Sequence, residues 1–282
     1  MKRLLVSAGV AAVLVGALGA SAAGLPQQTP SAGEKLGFRL ALQCWTVNKM
    51  TTFEAIDHAA SLGIRYLEMF PGQKLKPGSD VKVGPGMPDE AMEELKEKLQ
   101  KAGVKAVNFG VGGCGRGDFE FARKMGLETL VSEPRPADVP NADKLCEEFG
   151  INLALHNHPK PSTYWDPDVV LKAVEGCGRR VGACADTGHW LRSGIVPLEA
   201  LKKLQGRIVS FHLKDLNEKN RDVPFGTGRA GIKEILAEMR RQKFQGVYSI
   251  EYEVWDAQQT ENVRKCVQAF EQYCREILAS GK

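Results

Sequence analysis

The chain has 282 residues and a formal net charge of +4, with 43% hydrophobic and 26% charged residues. It is long enough to bury a large core, and its nearly balanced charge argues against a nucleic-acid or membrane-surface partner. Seven cysteines occur without CxxC spacing, which argues against a cysteine metal or redox motif. We expect most of them to be buried apolar residues, with a disulfide involving Cys266 as the alternative.

The first 22 residues have the features of a bacterial signal peptide. Two basic residues precede an uncharged apolar run from Leu4 to Leu18, and Ala20-Ser21-Ala22 supplies the small residues of a cleavage site. The run is shorter than the roughly 20 residues that cross a bilayer. We therefore expect cleavage after Ala22, a periplasmic or secreted protein and no membrane association afterwards, with a linker over residues 23–36 and one domain over 37–282.

From residue 37 onward, strand and helix patterns alternate eight times. The strand candidates are Arg39–Cys44, Tyr66–Phe70, Val104–Gly110, Thr129–Ser132, Asn152–Asn157, Val181–Ala185, Ile208–Leu213 and Val247–Glu251. The helix candidates are Thr52–Leu62, Asp89–Ala102, Ala142–Phe149, Asp168–Glu175, Pro197–Leu204, Gly231–Gln242 and Asn262–Ala279. The glycines expected between a helix and the next strand are Gly63, Gly103, Gly150 and Gly246. Eight βα units in roughly 250 residues predict an α/β fold, a single-domain (β/α)8 TIM barrel, rather than a doubly wound sheet.

Four of the five histidines and several carboxylates follow the later strands, where each strand ends. They occur in LHNHP (155–159), DTGHW (186–190), FHLKD (211–215) and SIEYE (249–253). Side chains alternate along a strand, and the face that carries these polar groups otherwise carries small residues such as Ala154 and Ser210. Small residues favour the crowded barrel interior, so the polar groups are predicted to converge inside its carboxyl end as a metal-centred active site.

The DTGH, HLKD and IE segments on three successive strands resemble the xylose isomerase-like TIM-barrel superfamily of sugar isomerases, epimerases, inosose dehydratases and type IV endonucleases. The resemblance covers the chain from about Gly37 onward. It implies that Asp186, His212 and Glu251 bind a divalent metal. Many relatives carry a fourth ligand, a glutamate, on strand five, where this chain has His156. Glu133, at the end of strand four, is the alternative.

The resemblance implies a metal-dependent sugar isomerase or epimerase that acts through an enediolate on a free sugar or a sugar derivative. A mixed imidazole and carboxylate site favours Mn²⁺, Zn²⁺, Co²⁺ or Fe²⁺ over Mg²⁺. The candidate proton carriers are Glu133, His158 and Glu251. The candidate substrate-binding residues are His189, Lys214, Trp45 and Trp190. Lys214 could instead be a solvent-exposed charge and the tryptophans could simply pack, while Asp215 is a candidate for orienting a ligand imidazole.

Three other functions remain open. A lyase or hydratase that eliminates a substituent from keto-glycosides or inosose-like substrates would use the same metal site, and the predicted export favours it. An abasic-site endonuclease needs additional zinc-binding histidines, and Pro224 occupies one of those positions. The last alternative is a non-catalytic sugar-binding barrel. For partners, we expect a small carbohydrate and no nucleic acid, and the resemblance implies a homodimer or homotetramer.

Overall fold

Eight parallel strands close into a barrel, which confirms the predicted (β/α)8 fold. The computed structural model describes residues 29–281, so the predicted signal peptide and the first part of the predicted linker lie outside the described residues. The strands are β1 (Phe38–Gln43), β2 (Tyr66–Met69), β3 (Lys105–Gly112), β4 (Thr129–Ser132), β5 (Asn152–His156), β6 (Val181–Asp186), β7 (Ile208–Leu213), the short hairpin β8 (Asp215–Leu216) and β9 (Asp222–Val223), and β10 (Gly246–Ile250). The barrel order is β1-β10-β7-β6-β5-β4-β3-β2.

The helices surround the barrel. They are α1 (Ala32–Lys35), α2 (Thr52–Ser61), α3 (Asp89–Ala102), α4 (Arg116–Met125), α5 (Val139–Phe149), α6 (Pro167–Ala173), α7 (Thr187–Arg192), α8 (Pro197–Lys203), α9 (Ile232–Arg241) and α10 (Gln259–Ser280). The sequence reading did not predict α4 or α7. Helix α4 buries Phe119 and Met125 in the core, and α7 begins at Asp186, whose side chain accepts a hydrogen bond from the His189 backbone N–H.

Two of the four predicted helix-ending glycines close their helices directly. Gly103 and Gly150 adopt left-handed backbone conformations, with φ of 67° and 70°, at the ends of α3 and α5. The prediction for Gly246 is wrong, because Gly246 is the first residue of β10 and pairs with Phe38 of β1. Lys243 takes the left-handed conformation after α9 instead, with φ of 57°.

The two faces of the strands contribute to different parts of the hydrophobic core, as the alternation of side chains predicts. Large apolar residues such as Leu42, Phe211 and Tyr248 belong to the main core, together with residues of the surrounding helices. Two small clusters contain the inward-facing residues of opposite sides of the barrel: Ala41, Val107 and Val247, and Val131, Ala154 and Cys184. The barrel interior is therefore packed with small side chains, and its upper layer is left to polar groups.

All seven cysteines lie within residues 29–281 and are free. Five of them are buried, as predicted, and the alternative of a disulfide at Cys266 is wrong because its thiol is unpaired. In this same part of the chain, no helix is long and apolar enough to cross a membrane.

Candidate metal centre and active site

Four side chains converge inside the carboxyl end of the barrel. His156, Asp186 and His212 end or nearly end β5, β6 and β7, and Glu251 directly follows β10. One ligand-capable atom from each lies within 4.8 Å of all the others, and all four residues are buried. The distance is 3.0 Å between His212 Nδ1 and Glu251 Oε2, and 3.6 Å between His156 Nε2 and Asp186 Oδ2. Strands that are distant in sequence thus deliver two nitrogen and two oxygen donors to one point.

Independently of any sequence resemblance, the surroundings of these four atoms suit a divalent cation. His156 Nε2, Asp186 Oδ2, His212 Nδ1 and Glu251 Oε2 are all buried, and none has a hydrogen-bond partner in the described structure. Apart from the Lys214 ammonium, 2.9–3.1 Å from the two carboxylate oxygens, these atoms face one another, and a cation bound among them would satisfy all four. Imidazole nitrogen with carboxylate oxygen is a donor set that suits Mn²⁺, Zn²⁺, Co²⁺ or Fe²⁺.

Glu133 lies outside this cluster, on the far side of the His156 ring. Its Oε1 is 3.2 Å from His156 Nδ1 and 2.6 Å from His158 Nδ1, and it accepts the His158 backbone N–H at 3.0 Å. Burial raises the pKa of Glu133, but the hydrogen bonds from the two histidines outweigh it and hold the pKa well below 4.5. The geometry therefore favours His156 as the fourth ligand and does not support the prediction that Glu133 binds the metal.

Lys214 points into the centre of the cluster. Its side chain is 0% exposed, and Nζ lies 3.1 Å from Asp186 Oδ2 and 2.9 Å from both Glu251 Oε2 and Glu253 Oε2. The alternative interpretation as a solvent-exposed charge is wrong. Burial lowers the pKa of Lys214, but the three carboxylates outweigh it and raise the pKa above 10.5. The amine is thus an ammonium that offsets part of the negative charge of the site.

His189 is buried beside the cluster on α7. Its Nε2 is 3.4 Å from Lys214 Nζ, and its Nδ1 is 3.0 Å from a guanidinium nitrogen of Arg192. Burial lowers the pKa of His189 to about 2, so the imidazole is neutral. Burial raises the pKa of Asp186, but the neighbouring charges outweigh it and hold the pKa well below 3.8. Because His189 is neutral, Lys214 is the neighbouring cation that contributes to this lowering.

A second group of ligand-capable side chains, His156, His158 and His189, lies next to the first. It contains no carboxylate, and the cations of Lys214 and Arg192 adjoin His189. Three imidazoles supply no negative charge to attract a divalent cation, whereas the first group contains two carboxylates. The carboxylate-containing group is therefore the better metal site.

A cavity of about 420 Å³ opens above the cluster, within the size range of small-molecule sites. It is lined by Gln43, Trp45, Phe70, Pro71, Gly110, Val111, His158, His189, Glu251 and Glu253. One wall is aromatic and apolar, with the Trp45 and Phe70 rings edge to face at 5.2 Å. The rest of the lining includes the polar side chains of His158, His189 and two carboxylates. A cavity of this kind suits a sugar, whose ring has apolar faces and polar edges.

Trp45 and His189 line the cavity, as expected of substrate-binding residues, but Trp190 does not. Trp190 is only 1% exposed and belongs to the main hydrophobic core. Its predicted substrate contact therefore needs correction, because helix α7 starts at the end of β6 and carries the indole away from the cavity. Trp45 is 41% exposed and remains accessible at the rim.

Two charged residues of the site have structural roles that the sequence did not indicate. Asp215, predicted to orient an imidazole, instead accepts the backbone N–H groups of Gly226, Gly228 and Ala230 at 2.8–3.0 Å. Arg192 donates to Glu253 at 3.1 Å and to Asp222 at 2.9 Å. Asp215 therefore shapes the loop after β9, and Arg192 ties that loop to the polar cavity wall.

Glu68 is a buried carboxylate beneath the cluster that sequence reasoning missed. It is 0% exposed on β2, and its Oε1 lies 2.7 Å from His212 Nε2. The only local signal for it is a carboxylate within an otherwise apolar strand (YLEM), since an acidic residue is rarely buried without a partner.

The family model described as a xylose isomerase-like TIM barrel matches residues 139–273. The crystal structure of an uncharacterised protein from Parabacteroides distasonis ATCC 8503 is 33% identical, with a TM-score of 0.70, and the alignment covers 84% of this chain and 99% of that one. A D-tagatose 3-epimerase-like protein has a TM-score of 0.69 over 86% of this chain and all of that chain, at 16% identity, which shows the fold alone.

Curated relatives match over shorter stretches. Inosose dehydratase 1 of Bacillus cereus is 27% identical over 128 residues, which are 39% of this chain and 43% of that protein. The chain thus spans less than half the length of the curated relatives it matches.

Proposed function

We propose that this chain, which belongs to the xylose isomerase-like TIM-barrel family, is a divalent-metal-dependent isomerase or epimerase of a free sugar or sugar derivative. The observation that carries the proposal is the convergence of four buried ligand atoms, from His156, Asp186, His212 and Glu251, beside a sugar-sized cavity. The apolar wall suits one face of a sugar ring, and the polar wall suits its hydroxyl groups.

A divalent cation held by these four residues would act as a Lewis acid and stabilise the negative charge that develops on a carbonyl and an adjacent hydroxyl oxygen of the sugar. Lys214 lies within 3.1 Å of two of the ligand oxygens and adds a further positive charge to the same region. His189 and Trp45 line the cavity and are available for hydrogen bonding and stacking, respectively.

His158 is the strongest candidate for removing a proton from the substrate. Its side chain is 46% exposed and lines the cavity, and its Nδ1 is 2.6 Å from the Glu133 carboxylate. The hydrogen bond that His158 donates to Glu133 raises the pKa of His158 above 6.5, although burial opposes the shift. An imidazole supported by a carboxylate can take up or return a proton near neutral pH. Glu133, predicted as a proton carrier, is better placed to act through His158.

Glu251 lines the same cavity and is the candidate for the second proton carrier. If a proton leaves the hydroxyl-bearing carbon next to the carbonyl and a proton returns to that carbon on its other face, the product is an epimer. If the proton returns to the former carbonyl carbon, and the hydroxyl proton moves to the former carbonyl oxygen, the product is an isomer. Both outcomes need two proton-carrying groups, and His158 and Glu251 supply them.

A lyase or dehydratase is the second candidate, and one observation favours it. The two proton carriers differ chemically, an imidazole and a carboxylate, which suits an elimination in which one group removes a proton and the other protonates the leaving group. The sequence similarity to inosose dehydratase 1 also supports this alternative.

Solvent deuterium incorporation distinguishes these candidates. The protein, loaded with Mn²⁺, Zn²⁺ or Co²⁺, is incubated in D₂O with a panel of ketoses and 3-keto-glycosides. An epimer or isomer that carries one deuterium supports the proposal. Release of water or an aglycone without an epimer or isomer would overturn it in favour of the lyase. If neither deuterium exchange nor metal binding is observed, a non-catalytic sugar-binding barrel is favoured.

Asp186→Asn is the matched variant for this experiment. Asp186 Oδ1 caps helix α7 through the His189 backbone N–H at 2.7 Å, whereas Oδ2 faces the cluster. Asparagine retains an oxygen for the cap, so the variant should fold while losing metal and turnover. Glu128→Gln at the other end of the barrel, where Glu128 pairs with Arg39, is the control and should retain both.

We also propose that the enzyme acts outside the cytoplasm, because residues 1–22 have the composition of a signal peptide. Cell fractionation of a bacterium that expresses the full chain tests this. A processed protein in the periplasm or medium is expected, and an unprocessed cytoplasmic protein would contradict it.

A further inference from the structure

We propose that Glu68 is a positioning residue that presents Nδ1 of His212 to the metal. The inference rests on the proposed function, since it requires His212 to be a metal ligand. A ligand imidazole must direct a nitrogen lone pair at the metal, and the hydrogen bond made by its other nitrogen decides which nitrogen is free.

The contact between Glu68 and His212 fixes that choice. Glu68 Oε1 lies 2.7 Å from His212 Nε2, and both side chains are 0% exposed. An ionised carboxylate can only accept hydrogen bonds. Nε2 of His212 is therefore the nitrogen that donates to Glu68, and Nδ1, which lies 3.0 Å from Glu251 Oε2, is the nitrogen that faces the cluster.

Other strands hold Glu68 in place. Its Oε2 accepts from Ser249 Oγ at 2.5 Å and from Asn108 Nδ2 at 3.2 Å, and Gln43 Nε2 lies 3.4 Å from its Oε1. These donors come from β10, β3 and β1. The carboxylate thus has neighbours on both oxygens and little freedom to turn away from His212.

His156 shows the same arrangement with the nitrogens exchanged. Glu133 lies 3.2 Å from His156 Nδ1, while His156 Nε2 is the unpartnered atom that faces the cluster. Each of the two imidazoles therefore has one nitrogen against a carboxylate outside the cluster and the other nitrogen facing the cluster. One carboxylate for each ligand imidazole is hard to explain by packing alone, because a carboxylate buried like Glu68 is costly unless it is fully paired.

Glu68→Gln removes the carboxylate with little change in shape. The amide has one acceptor oxygen and one donor nitrogen. If its oxygen stays with His212, its nitrogen faces the donors Ser249 and Asn108. If it turns over, its nitrogen faces His212 and favours the proton on Nδ1, the atom needed by the metal. Either orientation weakens the presentation of His212.

Metal affinity is the main measurement, made by titration of Mn²⁺ and Co²⁺ into metal-free protein without any substrate. We expect Glu68→Gln to bind each ion about 10–100-fold more weakly than wild type. Ser249→Ala, which keeps Glu68 but removes one of its donors, should weaken binding in the same direction and by less. Glu128→Gln, the same substitution at the opposite end of the barrel, should bind like wild type.

The tautomer of His212 provides a readout that a purely structural role would not change. Nitrogen-15 NMR of histidine-labelled, metal-free wild type should show His212 with a proton on Nε2, and Glu68→Gln should lose this preference while remaining folded. Wild-type affinity in folded Glu68→Gln, or in Ser249→Ala if the first variant does not fold, would overturn the inference. Failure of wild type itself to bind metal would instead contradict the proposed function.

Discussion

Lys214 offers a sharp test of the electrostatics of the metal centre. Its ammonium is 0% exposed and lies within 3.1 Å of carboxylate oxygens of Asp186, Glu251 and Glu253. Lys214→Met keeps an unbranched side chain of similar length but removes the charge. In the absence of metal, the variant leaves Asp186 and Glu251 without the ammonium and leaves Glu253 with Arg192 alone.

Removal of one partner from a buried ion pair typically costs about 3–5 kcal/mol. For a chain of this size, each kcal/mol shifts the melting temperature by about 2–4 °C, so the metal-free variant should melt roughly 6–20 °C below wild type. A divalent cation stabilises the folded state of either protein, by about 2.7 kcal/mol at 100 times its Kd. Because Lys214 no longer competes for the carboxylates, the variant should bind the ion more tightly than wild type and recover part of its loss.

The assay is denaturant unfolding of wild type and Lys214→Met, each with a chelator and with saturating Mn²⁺. The difference in unfolding free energy between the two proteins should be large with chelator and clearly smaller with metal. An equal difference in both conditions would show that metal and ammonium do not share the same carboxylates. A metal-free variant as stable as wild type would refute the electrostatic role of Lys214.

Three further predictions concern other residues. His158→Gln should lower turnover by about 10²–10⁴-fold without changing metal affinity, which steady-state kinetics and metal titration check together. Asp215→Ala leaves the N–H groups of the loop after β9 without their acceptor, so unfolding should require about 1.5–3 kcal/mol less and limited proteolysis should cut that loop sooner. Burial raises the pKa of Glu128, but Arg39 and Lys105 outweigh it and lower the pKa from 4.5 to about 2. The resulting stability is present above pH 4.5 and lost towards pH 2, so Glu128→Gln should reduce that acid-induced loss in pH-dependent unfolding.

The strands and the convergence of the ligands follow from local pattern. The bounds predicted for Thr129–Ser132 and Ile208–Leu213 agree with β4 and β7, because apolar, β-branched runs between turn residues identify strands. Strand alternation then assigns His156, Asp186 and His212 to one face, and barrel closure brings that face together. The alternation of side chains along each strand is therefore enough to predict that these residues converge.

The interactions between distant residues could not be predicted in this way. Glu68 lies 144 positions before His212, and their contact depends on how strands across the barrel meet. Lys214 in a single sequence has the pattern of an exposed charge, and only the three surrounding carboxylates explain its burial. Trp190 follows a strand end as Trp45 does, but the unpredicted helix α7 directs it into the core.

The presence of a metal at the four-residue cluster is most directly tested by anomalous diffraction from crystals grown with Mn²⁺ and soaked with a ketose. One strong anomalous peak is predicted among His156 Nε2, Asp186 Oδ2, His212 Nδ1 and Glu251 Oε2, with sugar oxygens on its cavity side. The absence of a peak there, or a metal bound elsewhere while the sugar still binds, would contradict the proposed metal centre.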